Sequence, residues 1–375
     1  MTPIPPAPLS AAMGAPAVTL VMDPHDDAAH AHAALAAHHP PSGRITLHPG
    51  PGTTSDTALA HDLLAALGRP PLLPGRFPKG RQPAWEAATA WVTAQPVTRL
   101  TVLRAHRLTA RRAERLLQLR AVTGIYLTLV CHRPRLPAAL HQALQAVDHA
   151  VITDPEAAQH HYGDSPPAHA DDAGGTVRRS GRWITLPALD RLVSYDSPAS
   201  CRASCTPPQI VWRHRSQPAP LTAHTVREVA RRLADSTAHP RLAAALAAAL
   251  FTGASFQQLE TAGLRDYDET AATLALHDRA RYTDGCAAYP VPGWARVFLR
   301  AAACFARLVS GEDQALLAAP GDRTHLLRLA ETARLRPPQP SAARRAGRVE
   351  WDWRERREAE KYDAMLGVCE KPSRG

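Results

Sequence analysis

A glycine-containing loop between a predicted strand and a predicted helix has part of the pattern of a phosphate-binding loop. The segment reads Gly50-Pro51-Gly52-Thr53-Thr54-Ser55-Asp56-Thr57. A phosphate loop of the form Gly-x-x-x-x-Gly-Lys-Ser/Thr cradles phosphates with backbone N–H groups, and its lysine contacts the β- and γ-phosphate oxygens. Gly50 and Thr57 have that spacing, but Ser55 stands at the second glycine and Asp56 at the lysine. Because a carboxylate repels a triphosphate, we expect a degenerate phosphate loop here.

The strand predicted at 99–104 lacks the acidic pair that holds Mg²⁺ in nucleotide hydrolases. Arg104-Ala105 stands where an Asp-Glu pair is needed, and His106-Arg107-Leu108, a helix and a strand ending near His132 follow. This order resembles the AAA+ ATPases that accompany DDE transposases, over about residues 42–145. The resemblance implies an AAA+-like fold but not the activity, because the differences fall on the catalytic positions. The alternative is an unrelated α/β domain with a Gly-Pro turn.

The second half of the chain has the layout of a recombinase catalytic domain. A predicted helix leads into Thr252-Gly253-Ala254-Ser255-Phe256-Gln257-Gln258-Leu259, and an apolar strand and Tyr289-Pro290-Val291-Pro292 follow. This layout resembles the tyrosine recombinases of the phage integrase type, over about residues 220–335. The resemblance implies a phosphate-clamping arginine at position 255 and a glutamate at 258, but the chain has Ser255 and Gln258. An ordinary helical domain rich in Ala and Leu is the alternative.

Strand cleavage by this second region is not expected. An attacking tyrosine needs arginines that neutralise the transition state, and the clamp is missing. The region also lacks a His-x-Leu-Arg-His segment, and Tyr362 lies in a charged stretch without the expected surroundings. We therefore predict no catalytic residues.

A short acidic segment is one of two weak candidates for metal chemistry. Asp23-Pro24-His25-Asp26-Asp27 follows the first predicted strand and is similar to the His-Pro-Asp-Asp zinc motif of LmbE-like deacetylases. Carboxylates with an imidazole suit Zn²⁺. We identify no second histidine motif in a matching context downstream, and helix capping accounts for Asp26 and Asp27. Cys201 and Cys205 could bind a metal together with His214, but we interpret the two cysteines as exposed thiols. The sequence therefore predicts no metal and no cofactor.

Arginine dominates the stretch of residues 99–120, which contains seven arginines and one acidic residue. On the helix predicted at 109–122, Leu116, Leu117 and Val122 are expected to face inward while arginines share the outer arc. We expect this surface to contact phosphates, although a solvated helix face is the alternative. The predicted nucleic-acid-binding residues are Arg104, Arg107, Arg111, Arg112, Arg115, Arg178 and Arg179. Trp351 and Trp353 in the charged tail are predicted to dock a partner.

The order of the elements predicts two structural regions. Strands at 17–22, 44–48, 99–104 and 125–131 alternate with helices at 25–38, 56–67, 84–95, 109–122 and 137–147. This alternation is typical of βαβ units with a mostly parallel sheet. A strand pair is predicted within 177–186. Farther along, helices at 222–235, 240–251, 255–261, 294–309 and 324–332 flank a short hairpin region at 266–289.

The predicted domain organisation follows from these elements and from changes in composition. It consists of a disordered tail (1–16), an AAA+-like α/β domain (17–155), a loop and linker region (156–220), a recombinase-like, mainly α-helical domain with a short β-hairpin (221–335) and a charged tail (336–375).

Charge and composition restrict the class of partner. The net charge is +10, and only three of the 44 basic residues are lysines. Arginine binds phosphate in a bidentate manner, so the composition suits nucleic acid, although codon bias of a GC-rich genome explains much of the arginine-to-lysine ratio. No run of about 18 uncharged apolar residues and no basic leader are present, so we expect a cytoplasmic protein without a membrane span. The six cysteines are predicted to be free thiols.

Together, these patterns predict a non-catalytic pseudoenzyme derived from mobile-element machinery. Its expected partner is DNA or a protein complex bound to DNA, and its oligomeric state is left open. The alternatives are an enzyme, either a nucleotide hydrolase or a metal-dependent hydrolase, and a protein–protein scaffold without DNA contact.

Overall fold

The first part of the chain folds into alternating strands and helices. A computed structural model describes residues 18–50, 53–74, 77, 82–163, 182–192, 218–277, 287–310, 315–319 and 321–337. In chain order, the elements of the first part are β1 (Val18–Met22), α1 (Ala28–Ala36), β2 (Arg44–Leu47), α2 (Asp56–Ala66), α3 (Ala84–Ala94), β3 (Arg99–Val102), α4 (Ala110–Thr123), β4 (Tyr126–Cys131), α5 (Ala138–Leu144), β5 (Ala150–Ile152) and α6 (Pro155–Tyr162). The predicted α/β class is thus confirmed.

The five strands form one parallel sheet in the order β2-β3-β4-β1-β5. Their inner positions are apolar and buried, as expected when helices cover both faces of a parallel sheet. On one face, Val21 and Val130 pack with α1 and α6. On the other face, Leu20 and Leu129 belong to the cluster that includes α2, α3, α4 and α5. Right-handed crossovers account for this division, because β1 connects toward one edge of the sheet and the later strands connect toward the other.

Local sequence signals set the ends of helix α4. The Thr109 side chain accepts a hydrogen bond from the N–H of Arg112 at 3.4 Å, and Gly124 ends the helix with a φ of 74°. The buried stripe consists of Ala113, Leu116 and Leu119. The prediction that Val122 faces inward is wrong, because its side chain lies about 120° around the helix from this stripe and is 63% exposed.

The second part of the chain is mainly helical and carries a small antiparallel sheet. Its elements are α7 (Ala223–Ser236), α8 (Pro240–Thr252), α9 (Phe256–Leu259), β6 (Tyr267–Asp268), β7 (Thr273–Leu276), β8 (Ala287–Pro290), α10 (Gly293–Ser310) and α11 (Arg323–Thr332). The three strands pair in the order β6-β7-β8. Two hairpin connections therefore replace the single short hairpin that the sequence predicts.

One hydrophobic core joins the two parts. Helix α10 packs against both α3 and α8, and nearly every side chain of the Ala-rich α8 is buried. The indole N–H of Trp91 in α3 donates to the backbone oxygen of Ala238 at 2.7 Å. The guanidinium of Arg69 stacks 3.7 Å above the Trp91 ring. The two regions are therefore packed together as one body rather than joined only through a linker.

The segments between the two parts differ from the predicted boundaries. Helix α6 packs on α1, so the α/β region extends to Tyr162 rather than ending at 155. Within the predicted strand pair at 177–186, the described residues 182–186 form no strand. A 3₁₀ helix, Pro187–Leu192, follows and buries Leu189 and Leu192 in the main core. None of the described helices is long and apolar enough to cross a membrane.

Candidate functional site at the carboxyl edge of the parallel sheet

The neighbouring strands β1 and β4 define a topological switch point. The chain leaves β1 through α1 on one face of the sheet and leaves β4 through α5 on the opposite face. Ligands of open parallel sheets bind in the crevice outside the carboxyl ends of such strands. Asp23 and Asp26 follow β1, Arg104 follows β3 and His132 follows β4. These four residues therefore lie at the position where the topology favours a ligand.

Asp23 and His132 form a buried pair in this crevice. Asp23 Oδ2 lies 2.7 Å from His132 Nδ1, and the two side chains are 3% and 1% exposed. The other oxygen, Asp23 Oδ1, accepts the backbone N–H of Asp27 at 3.1 Å. The opposite ring nitrogen, His132 Nε2, is buried and has no hydrogen-bond partner among the described residues. The polar contacts of the His132 ring with the two aspartates are therefore made through Nδ1.

Asp26 completes the group at the surface. Its Oδ1 lies 3.3 Å from His132 Nδ1, and its Oδ2 accepts from Arg104 Nη1 at 3.1 Å. Burial raises the pKa of Asp26, but the hydrogen bond and the positive charge of Arg104 outweigh burial, so the pKa lies below its usual value. The prediction that helix capping accounts for both aspartates holds only for Asp27, which caps α1 through the N–H of Ala29 at 2.8 Å.

The edge of the sheet around this group is electropositive. Partial burial lowers the pKa of His106, and the charges of Arg133, His132, Arg107 and Arg104 lower it further. Partial burial also lowers the pKa of His48, with Arg104 and Arg107 as the largest charged contributors. Two imidazoles from different loops thus respond to the same arginines. We call Arg104, Arg107, Arg111, Arg112 and Arg133 the basic edge.

The predicted degenerate phosphate loop follows β2, which is an edge strand, and its described groups are bonded within the protein. The N–H of Gly50 donates to Asp62 Oδ2 at 3.3 Å, and the Thr53 hydroxyl bonds to the same oxygen. Ser55 caps α2 by accepting from the N–H of Ala58 at 3.1 Å. Thr57 is half-buried in the first turn of α2, and Gly52 lies outside the described residues. A carboxylate therefore occupies the place where a phosphate would bind.

The arginines predicted to contact DNA divide into anchored and outward-facing side chains. Arg112 Nη1 donates to the backbone oxygen of Thr53 at 2.6 Å. Arg111 pairs with Asp56 at 2.7 Å but remains 69% exposed, and Arg107 is exposed. Arg115, one turn farther along α4, is half-buried. The other predicted binding residues, Arg178, Arg179, Trp351 and Trp353, lie outside the described residues.

The two recombinase-like positions bond to each other. Ser255 N donates to Gln258 Oε1 at 3.0 Å, and Gln258 N donates to Ser255 Oγ at 3.4 Å. This reciprocal capping box begins α9, and both side chains are buried. The structure thus gives both residues a structural role.

A second polar cavity lies on the sheet face that carries α1 and α6. Thr46, Thr101, Thr128 and His161 line it. Thr46 donates to the backbone oxygen of Ala34 at 2.6 Å, and the Thr128 hydroxyl lies 2.9 Å from His161 Nε2. Because Thr46, Thr128 and His161 are bonded within the protein, the cavity is a weaker candidate than the group at the carboxyl ends of the strands.

Comparison with known protein families, with curated protein sequences and with solved structures gives no match for this chain. The proposed function therefore depends on the residues at the carboxyl ends of the parallel strands.

Proposed function

We propose that the protein binds the phosphate backbone of DNA along the basic edge, without cleaving DNA or hydrolysing nucleotides. One observation carries the proposal: arginines from the segment after β3 and from the segment after β4 surround two imidazoles at the carboxyl ends of the strands. Besides burial, Arg104 and Arg107 lower the pKa of both His48 and His106, and Arg133 lowers that of His106. Arg111 and Arg112 lie in the first turn of the helix that follows. Positive charge thus lies where a ligand of a parallel sheet binds. Phosphate oxygens are the acceptors that guanidinium groups fit best.

The anchored and the exposed arginines have different roles in this proposal. Arg104 and Arg112 hold the loops through Asp26 and Thr53, which fixes the shape of the edge. Arg107, Arg111 and Arg133 are exposed and supply the phosphate contacts. Contacts of this type give affinity and position but no readout of the base sequence.

The absence of catalysis is supported by the residues at the positions where catalysis is expected. Asp56, at the lysine position of the phosphate loop, pairs with Arg111, and the adjoining backbone N–H of Gly50 is bonded to Asp62. Ser255 and Gln258, at the recombinase positions, satisfy each other. Neither arrangement leaves a group that stabilises a transition state.

The test is the salt dependence of DNA binding by the full-length chain. Fluorescence anisotropy with two labelled duplexes of unrelated sequence is measured at several salt concentrations. If each of the three exposed arginines neutralises one phosphate, log affinity falls with log salt with a slope of about −2.7, and both duplexes bind equally well. No binding at low salt, or binding that does not depend on salt, would contradict the proposal and favour a protein–protein scaffold.

A further inference from the structure

The switch point contains a set of atoms suited to a metal ion. Asp23, Asp26 and His132 each present one ligand atom, and these atoms lie within 4.8 Å of one another. They come from segments about 109 residues apart in the chain that meet because β1 and β4 are neighbours. We propose that these three residues bind one divalent cation of the zinc class, with the open coordination positions beside Asp26. This inference goes beyond DNA binding and does not depend on it.

The hydrogen bonding of the group leaves a place for a cation. A single imidazole Nδ1 carries at most one hydrogen, yet two carboxylate oxygens face it, Asp23 Oδ2 at 2.7 Å and Asp26 Oδ1 at 3.3 Å. One of the two oxygens therefore lacks a proton between itself and the ring nitrogen. A cation among the three atoms would satisfy both carboxylates.

The outer oxygens of the two carboxylates are already held. Asp23 Oδ1 accepts from the N–H of Asp27, and Asp26 Oδ2 accepts from Arg104 Nη1. Each carboxylate therefore directs its free oxygen toward His132. Metal-binding carboxylates are oriented by such outer hydrogen bonds, which fix the ligands before the metal arrives.

The distances and the ligand types select the class of metal. Two ligands that bind a tetrahedral zinc at about 2.0–2.1 Å lie about 3.3 Å apart, which is the separation of Asp26 and His132. Asp23 must move outward by roughly half an ångström to reach the same separation. An imidazole nitrogen with two carboxylates favours Zn²⁺ or Mn²⁺ over Mg²⁺, which prefers oxygen ligands alone.

Access to the group comes from the solvent side. Asp23 and His132 are buried, whereas the Asp26 side chain is 47% exposed. A cation would therefore enter beside Asp26, and its remaining positions would face the basic edge.

The experiment is a calorimetric titration of Zn²⁺ into the metal-stripped, full-length chain without DNA. We expect one site per chain at micromolar or lower concentration that prefers Zn²⁺ to Mg²⁺, and Co²⁺ at this site should give visible absorption. The test variant is Asp26→Asn, which alters an exposed residue, and the matched control is Asp27→Asn, which keeps the cap of α1. Asp26→Asn should weaken Zn²⁺ binding by more than about 10-fold, whereas Asp27→Asn should not.

Three results would overturn the metal site. They are the absence of a stoichiometric Zn²⁺ site, equal affinity for Mg²⁺ and Zn²⁺, and an unchanged isotherm in Asp26→Asn, which would assign the zinc to other histidines or cysteines. Because DNA is absent from the titration, these results leave the DNA-binding proposal untouched, and failure to bind DNA leaves the metal site untouched.

Discussion

Asp26 and Arg104 form an ion pair at 3.1 Å, and both residues adopt the left-handed backbone conformation, with φ of 52° and 53°. Left-handed conformations are unfavourable for residues other than glycine and persist where the surrounding structure imposes them. The two strained residues follow β1 and β3, which lie on either side of β4 in the sheet, and they face each other across the carboxyl end of β4. The pair links the loop after β1 to the loop after β3.

The first prediction separates backbone strain from the ion pair at Arg104. Arg104→Ala and Arg104→Gly both remove the contact with Asp26, but only glycine relieves the left-handed conformation. We expect Arg104→Gly to be more stable than Arg104→Ala by about 1 kcal/mol, measured by urea denaturation. Equal free energies of unfolding for the two variants would show that the left-handed conformation of residue 104 does not destabilise this protein.

The second prediction concerns nucleotides. Because Asp56 takes the lysine position and the Gly50 N–H is bonded to Asp62, ATP with Mg²⁺ should neither bind at micromolar concentration nor release phosphate. Calorimetry and a phosphate-release assay check this. Micromolar ATP binding that weakens in Thr57→Ala would contradict it.

The third prediction concerns stability in acid. Burial, with smaller effects from Arg241 and His325, lowers the pKa of His239 to about 3. Below an unfolded-state pKa of about 6.5, the unfolded chain binds a proton that the folded chain does not bind. His239 should therefore reduce stability as the pH falls from about 6.5 toward 3, by at most about 1.4 kcal/mol per pH unit.

The measurement for His239 is urea denaturation at pH 7, 6 and 5. The His239→Leu variant should lose less stability than the wild type over this pH range, because leucine binds no proton. The substitution removes no capping bond, because the His239 side chain makes none to α8. His224→Gln alters an exposed histidine and serves as the control. If His239→Leu and the wild type lose stability equally on acidification, the burial of a neutral imidazole is not the cause.

Much of the fold could be predicted from hydrophobic patterns and caps. Four of the five parallel strands are apolar runs, and Ser55 and Thr109 mark the starts of α2 and α4. Strand β5 was missed because it has only three residues, none of them fully buried, so it gives no apolar run. Helix α6 was missed because it lies in a stretch rich in His and Ala that resembles a polar loop.

The candidate site was only partly predictable, because its residues meet through the order of the strands. The sequence draws attention to the segment from Asp23 to Asp27 through its similarity to a zinc motif, although it predicts no metal, and it predicts the arginines of α4 as phosphate contacts. It gives no signal that His132 belongs with Asp23, since their contact follows from the pairing of β1 with β4. A histidine directly after a buried strand was the available clue, because the carboxyl ends of parallel strands lie at one edge. The common core of the two parts was also hidden, because the alanines of α3 and α8 have no pattern that identifies a partner helix.

The most direct test of DNA binding at the basic edge compares two triple variants of the full-length chain. The first, Arg107→Ala with Arg111→Ala and Arg133→Ala, removes the three exposed arginines of the basic edge and leaves out Arg112 because that side chain holds Thr53. The control, Arg296→Ala with Arg300→Ala and Arg307→Ala, removes the same charge from exposed positions of α10. Each triple includes one ion-paired arginine, Arg111 with Asp56 and Arg300 with Glu269.

Duplex DNA binding of the two triple variants is measured by anisotropy over a range of salt concentrations. The first variant should lose affinity by at least about 10-fold at low salt and should have a salt slope that is shallower by about 2.7, or about 0.9 for each of its three phosphate contacts. The control should keep both the affinity and the slope of the wild type. If the two variants bind equally well, or if the first variant binds as the wild type does, the basic edge is not the DNA-binding surface.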